Sequence, residues 1–152
     1  MPNIVLTRID NRLIHGQVAT QWCSSIGTNL ILVSNDNVAG DKLRQGLMDM
    51  CAPAYASTRY WTLEKTISTI HKANAKQLIF IVCETPSDVL KLVEGGVPIK
   101  KVNIGNMHMA EGNHLQDLYS NKSLSKADLE RRNEILRAQV INSLYCWSRR
   151  IR

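Results

Sequence analysis

At 152 residues, with 44% hydrophobic and 21% charged side chains and a formal net charge of +6, the chain is long enough to bury a proper core and reads as one domain over 1–152. The longest apolar run, Leu78 to Cys83, is far short of a membrane span, and Met1-Pro2-Asn3 ahead of a strand lacks the basic and apolar regions of a signal peptide. Four scattered cysteines (Cys23, Cys51, Cys83, Cys146) without a C-x-x-C pair argue against metal ligation or a disulfide framework and for reduced cytosolic thiols.

Taken in chain order, apolar segments at 3–8, 28–34, 56–61, 77–83 and 100–104 predict strands. Helical patterns at 17–25, 38–51, 62–74 and 86–94 lie between them. The stretch 62–74 puts Leu63, Ile67 and Ile70 on one face and Glu64, Lys65 and Lys72 away from it. Thr62 and Ser87 are the expected helix caps, with Pro86 at a helix start. Near-continuous apolar strands alternating with helices predict an α/β fold: a single-domain, doubly wound, mainly parallel sheet with helices on both faces. Cys83, which ends the fourth strand, is expected to be a small core residue. The positive charge gathers at the end of the chain. Residues 121–152 carry Lys122, Lys126, Arg131, Arg132, Arg137, Arg149, Arg150 and Arg152 against Asp128, Glu130 and Glu134, whereas residues 1–120 are nearly balanced. No aromatic interleaving or nucleic-acid motif accompanies these charges, so a solvated helix face and terminus is expected and a nucleic-acid partner is not.

In an open parallel sheet, ligands collect beyond the carboxyl ends of the strands. Four loops fall there: 9–16 with Asp10, Arg12 and His15; 35–37 with Asn35 and Asp36; 84–86 with Thr85; and 105–114 with Asn106, Met107, His108, Glu111 and His114. No G-x-G-x-x-G or P-loop pattern is present, which argues against a tightly held nucleotide. His15 sits where a strand gives way to a helix. An anion beside it could use backbone N–H groups at the helix start and pair with Arg12. From these residues alone, the competing reading of His15 as an ordinary surface or capping histidine stays open, as does a purely local role for His108. His71, at the edge of an amphipathic helix, and His114, at a loop end, read as structural or solvated.

Three motifs lie in order along the chain: Arg8-Ile9-Asp10-Asn11-Arg12-Leu13-Ile14-His15-Gly16-Gln17-Val18, then Val33-Ser34-Asn35-Asp36, then Val102-Asn103-Ile104-Gly105-Asn106-Met107-His108. Together they resemble the mannose/fructose/sorbose-family IIB component of the bacterial phosphoenolpyruvate-dependent sugar phosphotransferase system, and overall similarity is greatest to the branch serving galactosamine or N-acetylgalactosamine. The resemblance implies a phosphocarrier in which His15 accepts a phosphoryl group from a phosphohistidine on a IIA protein. It would then pass that group to a sugar held by the membrane IIC/IID permease. Family members carry the phosphate on Nδ1. Arg12 would clamp phosphoryl oxygens and Asp10 would hold Arg12 or orient His15. Gly16 and Gln17 would add backbone donors, and Asn35, Asp36, Asn106 and His108 would shape the rim. Neither metal nor other cofactor is implied, because the donor is a phosphoprotein charged ultimately from phosphoenolpyruvate. The implied location is cytoplasmic, against the permease, with room for a homo-oligomer.

The end of the chain departs from the family pattern. Gly112-Asn113 stands where members usually have Gly-Lys. The segment from about 131 to 152 is divergent and basic, although Val140 to Trp147 contains a plausible strand. The rival expectation is a non-catalytic α/β regulatory or binding module that keeps the motif but no longer docks its permease.

Overall fold

The apolar runs become strands because a sheet covered on both faces leaves neither side of the pleat to solvent. The computed structural model describes residues 1–16, 21–105 and 141–142. Within them, β1 (Asn3–Ile9), β2 (Leu30–Ser34), β3 (Ser57–Trp61), β4 (Leu78–Cys83), β5 (Lys101–Ile104) and β6 (Ile141–Asn142) form one sheet in the order β3-β2-β4-β1-β5-β6. Every pairing is parallel. The five anticipated strands are present with ends shifted by two residues at most. Ile141 and Asn142 add a short edge strand beside Lys101 and Val102.

The helices are α1 (Cys23–Ile26), α2 (Asp36–Ala39), α3 (Lys42–Cys51), α4 (Leu63–Thr69), continued by a 3₁₀ turn over Ile70–Lys72, and α5 (Pro86–Glu94). Residues 17–20 of the expected helix 17–25 lie outside the described residues, and two of the other helices differ from expectation. The pattern 38–51 is broken because Asp41 leaves the helix and accepts the Arg44 N–H, capping a new one. The cap of α5 is Thr85 rather than Ser87: Pro86 occupies the first helical position, so the residue before it takes the capping role, and Thr85 and Asp88 form a reciprocal capping box. Thr62 caps α4 as expected, accepting the Lys65 N–H.

Two apolar layers enclose the sheet. On one face, Ile4, Ile9, Leu32, Ile79 and Ile81 pack with Leu63, Ile70, Val89 and Leu92 of α4, its 3₁₀ turn and α5. On the other, Leu6, Ile31, Val33, Phe80 and Val82 pack with Cys23, Val38 and Met48 of α1, α2 and α3. Cys83 is buried, and Cys23, Cys51 and Cys83 are free thiols. His71 is exposed.

Strand β1 carries an irregularity that matters for the site. Ile4 pairs with Ile79 and Leu6 with Phe80, so Val5 is an extra residue in the ladder. Because side chains alternate across a strand, one inserted residue exchanges the faces of everything after it. Leu6, and with it Arg8 and Asp10, therefore faces α1 and α3 instead of α4 and α5. The connection after β1 crosses the α1 side and the one after β4 crosses the α5 side, which opens the edge of the sheet between these neighbouring strands, the usual address for a ligand in such folds.

Candidate active site

The site is built from the last turn of sheet in β1. Asp10 lies one residue beyond the strand but is still held by it, its N–H donating to the Cys83 carbonyl at 2.9 Å. The chain then folds over its own carboxylate: Leu13 N–H reaches the Asp10 carbonyl at 3.0 Å and Arg12 N–H reaches Asp10 Oδ1 at 3.0 Å. This is the side-chain turn that aspartate favours. Leu13 has φ of +58°, a left-handed backbone that costs a non-glycine residue about 1–2 kcal/mol. Leu13 and Ile14 are nonetheless buried in the core beneath the loop, and that burial holds the turn in place. The result returns His15 above Asp10, with Nε2 3.2 Å from Oδ2.

Asp10 is the hub. Its Oδ2 accepts from Arg8 Nε (3.3 Å), Arg8 Nη2 (3.1 Å) and His15 Nε2, and its Oδ1 from Arg12 N–H and Arg12 Nε (3.4 Å). Full burial pushes the carboxyl pKa up. The Arg12 N–H, the His15 and Arg12 side-chain bonds and the Arg8 charge outweigh it, leaving the group below the ordinary aspartate range. An ionised carboxylate can only accept, so Nε2 of His15 carries the ring proton and, in the neutral ring, Nδ1 keeps the lone pair. The imidazole is 19% exposed, enough to meet a partner from one side.

The two arginines differ. Arg12 is 47% exposed and touches Asp10 through Nε at the outer rim. Arg8 is buried: besides its two bonds to Asp10, Nη1 donates to Asn103 Oδ1, and the guanidinium lies over the Trp22 ring, 4.9 Å from its centre. Burial lowers the Arg8 pKa, with the Asp10 charge and hydrogen bond pulling the other way. Gly105, whose N–H bonds the Ile9 carbonyl at 2.7 Å, leaves the space this side chain fills; a Cβ there would overlap the guanidinium.

Of the residues singled out in the sequence, Asp10, Arg12 and His15 are brought together. Gly16 follows directly, exposed, with room around its Cα for a side chain. Asn35 and Asp36 stand at the same edge, but their bonds go elsewhere. Asn35 caps α2 through Val38 N–H and donates to Glu84 Oε2 at 2.7 Å, and Asp36 accepts the Leu63 N–H at 2.9 Å. Gln17, Asn106 and His108 lie outside the described residues, as do His114 and Cys146. Arg8, Asn103 and Gly105 stand in the quoted motifs without an assigned role, and Trp22 was not singled out. The available signal for Arg8 was its i, i+2 spacing to Asp10, which puts both on one face of an extended strand.

Comparison with known proteins gives a consistent result. The family profile described as PTS system sorbose subfamily IIB component matches residues 4–141. The N-acetylgalactosamine-specific phosphotransferase enzyme IIB component 2 of Escherichia coli (strain K12) is 49% identical over 140 residues, covering 92% of this chain and 88% of that protein. The crystal structure of the PTS system N-acetylgalactosamine-specific IIB component 1 from Escherichia coli superposes with a TM-score of 0.82 at 46% identity, covering 92% of this chain and 91% of that one. The IIBSor domain of the sorbose permease from Klebsiella pneumoniae gives 0.79 at 34% identity, over 92% and 85%.

Proposed function

Since the chain belongs to the sorbose subfamily of IIB components, phosphotransfer subunits in sugar uptake, we propose that its phosphoryl group travels on Nδ1 of His15. The observation that carries this reading is the His15 Nε2–Asp10 Oδ2 contact of 3.2 Å, which commits the ring proton to one nitrogen and leaves the other nucleophilic. The Nδ1 lone pair attacks the phosphorus of a phosphohistidine on a IIA protein. A new N–P bond forms as the donor's N–P bond breaks, and the donor imidazole leaves with the electron pair. A sugar hydroxyl then attacks the same phosphorus, an O–P bond forms as the His15 N–P bond breaks, the hydroxyl proton passes to solvent, and His15 recovers its lone pair. Exchange between two imidazoles is close to thermoneutral, so alignment and charge neutralisation are what the protein must supply. The exposed guanidinium of Arg12 suits the moving oxygens, while Asp10, which would repel them, is shielded beneath it.

The names of the similar proteins make N-acetylgalactosamine the substrate we propose, and membership of the IIB family supports a IIA phosphoprotein as donor and a IIC/IID permease as docking partner. Among the described residues no helix is long and apolar enough to cross a membrane, and the reading puts the protein at the cytoplasmic face of that permease. No cofactor is called for, because the donor arrives already phosphorylated. A non-catalytic module is not favoured, since the similar proteins are phosphotransferase components throughout.

The test is incubation with phosphoenolpyruvate, the two general phosphotransferase proteins and a cognate IIA. The wild-type chain should gain one acid-labile, base-stable phosphate and His15→Ala none, with circular dichroism unchanged. Label lost in His108→Ala and kept in His15→Ala would move the carrier to the other histidine. Arg12→Ala should slow transfer by roughly a hundredfold, about 2–4 kcal/mol for one charged donor to a transition-state oxygen. Arg12→Lys should recover part of that, because an ammonium cannot make the forked contact.

A further inference from the structure

We infer that Arg8 is a positioning residue for phosphoryl transfer, acting through Asp10 to set which nitrogen of His15 is free to attack. The inference rests on the reading of His15 as the phosphoryl carrier. Arg8 spends its guanidinium inward: Nε and Nη2 on Asp10 Oδ2, Nη1 on Asn103, and its plane on Trp22. At 4% exposure it offers nothing to an incoming anion, in contrast to Arg12. The oxygen it grips is the one that takes His15 Nε2.

That sharing gives Arg8 its leverage. A fully buried carboxylate that loses the bonds of one of its two guanidinium partners protonates more readily. A neutral carboxyl accepts more weakly and can itself donate to Nε2, which sends the ring proton to Nδ1 and removes the lone pair from the attacking nitrogen. Arg8, together with the Arg12 N–H and guanidinium on the other oxygen, holds Asp10 as an acceptor, and Asp10 then holds the tautomer. Neighbouring backbone is shaped to the same end. Strand β5 supplies the Asn103 acceptor, and Gly105 at its end lacks the Cβ that would displace the guanidinium. The bulge at Val5 directs Arg8 and Asp10 to the face where this happens.

The experiment uses the full chain labelled with ¹⁵N-histidine, with the His15 resonances identified by their loss in His15→Ala. Two-bond nitrogen–proton couplings then report the tautomer. Wild type should show the Nε2–H form. Arg8→Lys should move population toward Nδ1–H and slow phosphoryl uptake from phosphorylated IIA by about 10–100-fold, the range for outer partners that orient metal-binding histidines. The KM for IIA should be unchanged. The acid limb of its rate profile should move to higher pH, because an ammonium cannot keep both guanidinium bonds to Oδ2 and Asp10 would protonate more readily. Asn103→Ala, which leaves the Arg8–Asp10 pair intact, should shift tautomer and rate less and in the same direction, and it carries the test if Arg8→Lys does not fold. A folded Arg8→Lys with wild-type tautomer and pH profile overturns the inference, as does an unaltered Asn103→Ala where the lysine variant is unfolded. Retention of label in His15→Ala would instead strike the carrier assignment, and the tautomer measurement would still decide the coupling of Arg8 to His15.

Discussion

The loops after β1 and β2 leave the same edge of the sheet, and each opens with a polar pair, Asp10-Asn11 and Asn35-Asp36, yet they hold opposite electrostatics. After β1 the carboxylate is at the bottom, fully buried, and Arg8, Arg12 and His15 close over it. After β2 the amide is buried and the carboxylate is exposed, and both are occupied with backbone N–H groups and Glu84. The neighbouring Asp88 carboxyl is pushed up by burial and by the charges of Glu84 and Asp36, against the pull of its Thr85 bonds. On the proposed reading, the cationic cover of the first loop suits a phosphoryl group and the carboxylates by the second would repel it. Proximity to a strand end does not make a site; the order in which charge is layered there does.

The sharpest way to break this comparison is to neutralise the hub. Asp10→Asn leaves buried Arg8 without its counter-charge and should cost about 3–5 kcal/mol in urea unfolding, with transfer falling alongside. Asp36→Asn should change transfer by less than twofold, and an equal loss in both variants would erase the distinction between the loops.

Next in size is the turn that carries His15. Leu13→Ala should lose about 2–5 kcal/mol of stability from the emptied core position. Leu13→Gly should be no worse than alanine and up to about 1 kcal/mol better, because glycine alone adopts φ of +58° without strain. Denaturation midpoints that rank alanine above glycine would show that the left-handed backbone is not held in solution.

A smaller effect separates capping from catalysis. Asn35→Ala removes the α2 cap and should cost about 1 kcal/mol, with the rate of phosphoryl uptake per folded molecule unchanged.

The last prediction concerns pH and has opposite signs at Asp10 and at Asp88, in the first turn of α5. Asp10 sits below the ordinary carboxyl range, so its stabilisation is present above that range and is lost as pH falls through its depressed value. Asp88 sits above the range, so it detracts at neutral pH, and stability recovers as pH falls through its raised value. Asp88→Asn, which keeps an oxygen for the Thr85 N–H, should therefore be neutral or slightly stabilising at pH 7, within about 0.5 kcal/mol, and should flatten that recovery. Thermal melts of wild type and variant across pH 4–7 that run parallel would remove Asp88 from the account.

Much of this protein is local and therefore readable along the chain. The parallel α/β pattern follows from apolar runs such as Leu78–Cys83 alternating with helical spacing, because each element's own periodicity determines which side it must bury. The grouping of Asp10, Arg12 and His15 is legible for the same reason: they lie in one loop, five residues apart, where an aspartate naturally bends the chain onto its own side chain. What only the tertiary structure decided involves partners distant in sequence. Ser87 as a cap failed by two residues because the start of α5 depends on where Pro86 fits, and 38–51 divided because Asp41 found a donor in the next turn. Arg8 read as one more strand residue until Asn103, from a strand 95 positions away, and Trp22 enclosed it. Its face was not deducible from alternation at all, since a single extra residue at Val5 reverses the parity of β1. That irregularity shows only against β4, and it decides which side of the sheet holds the charge.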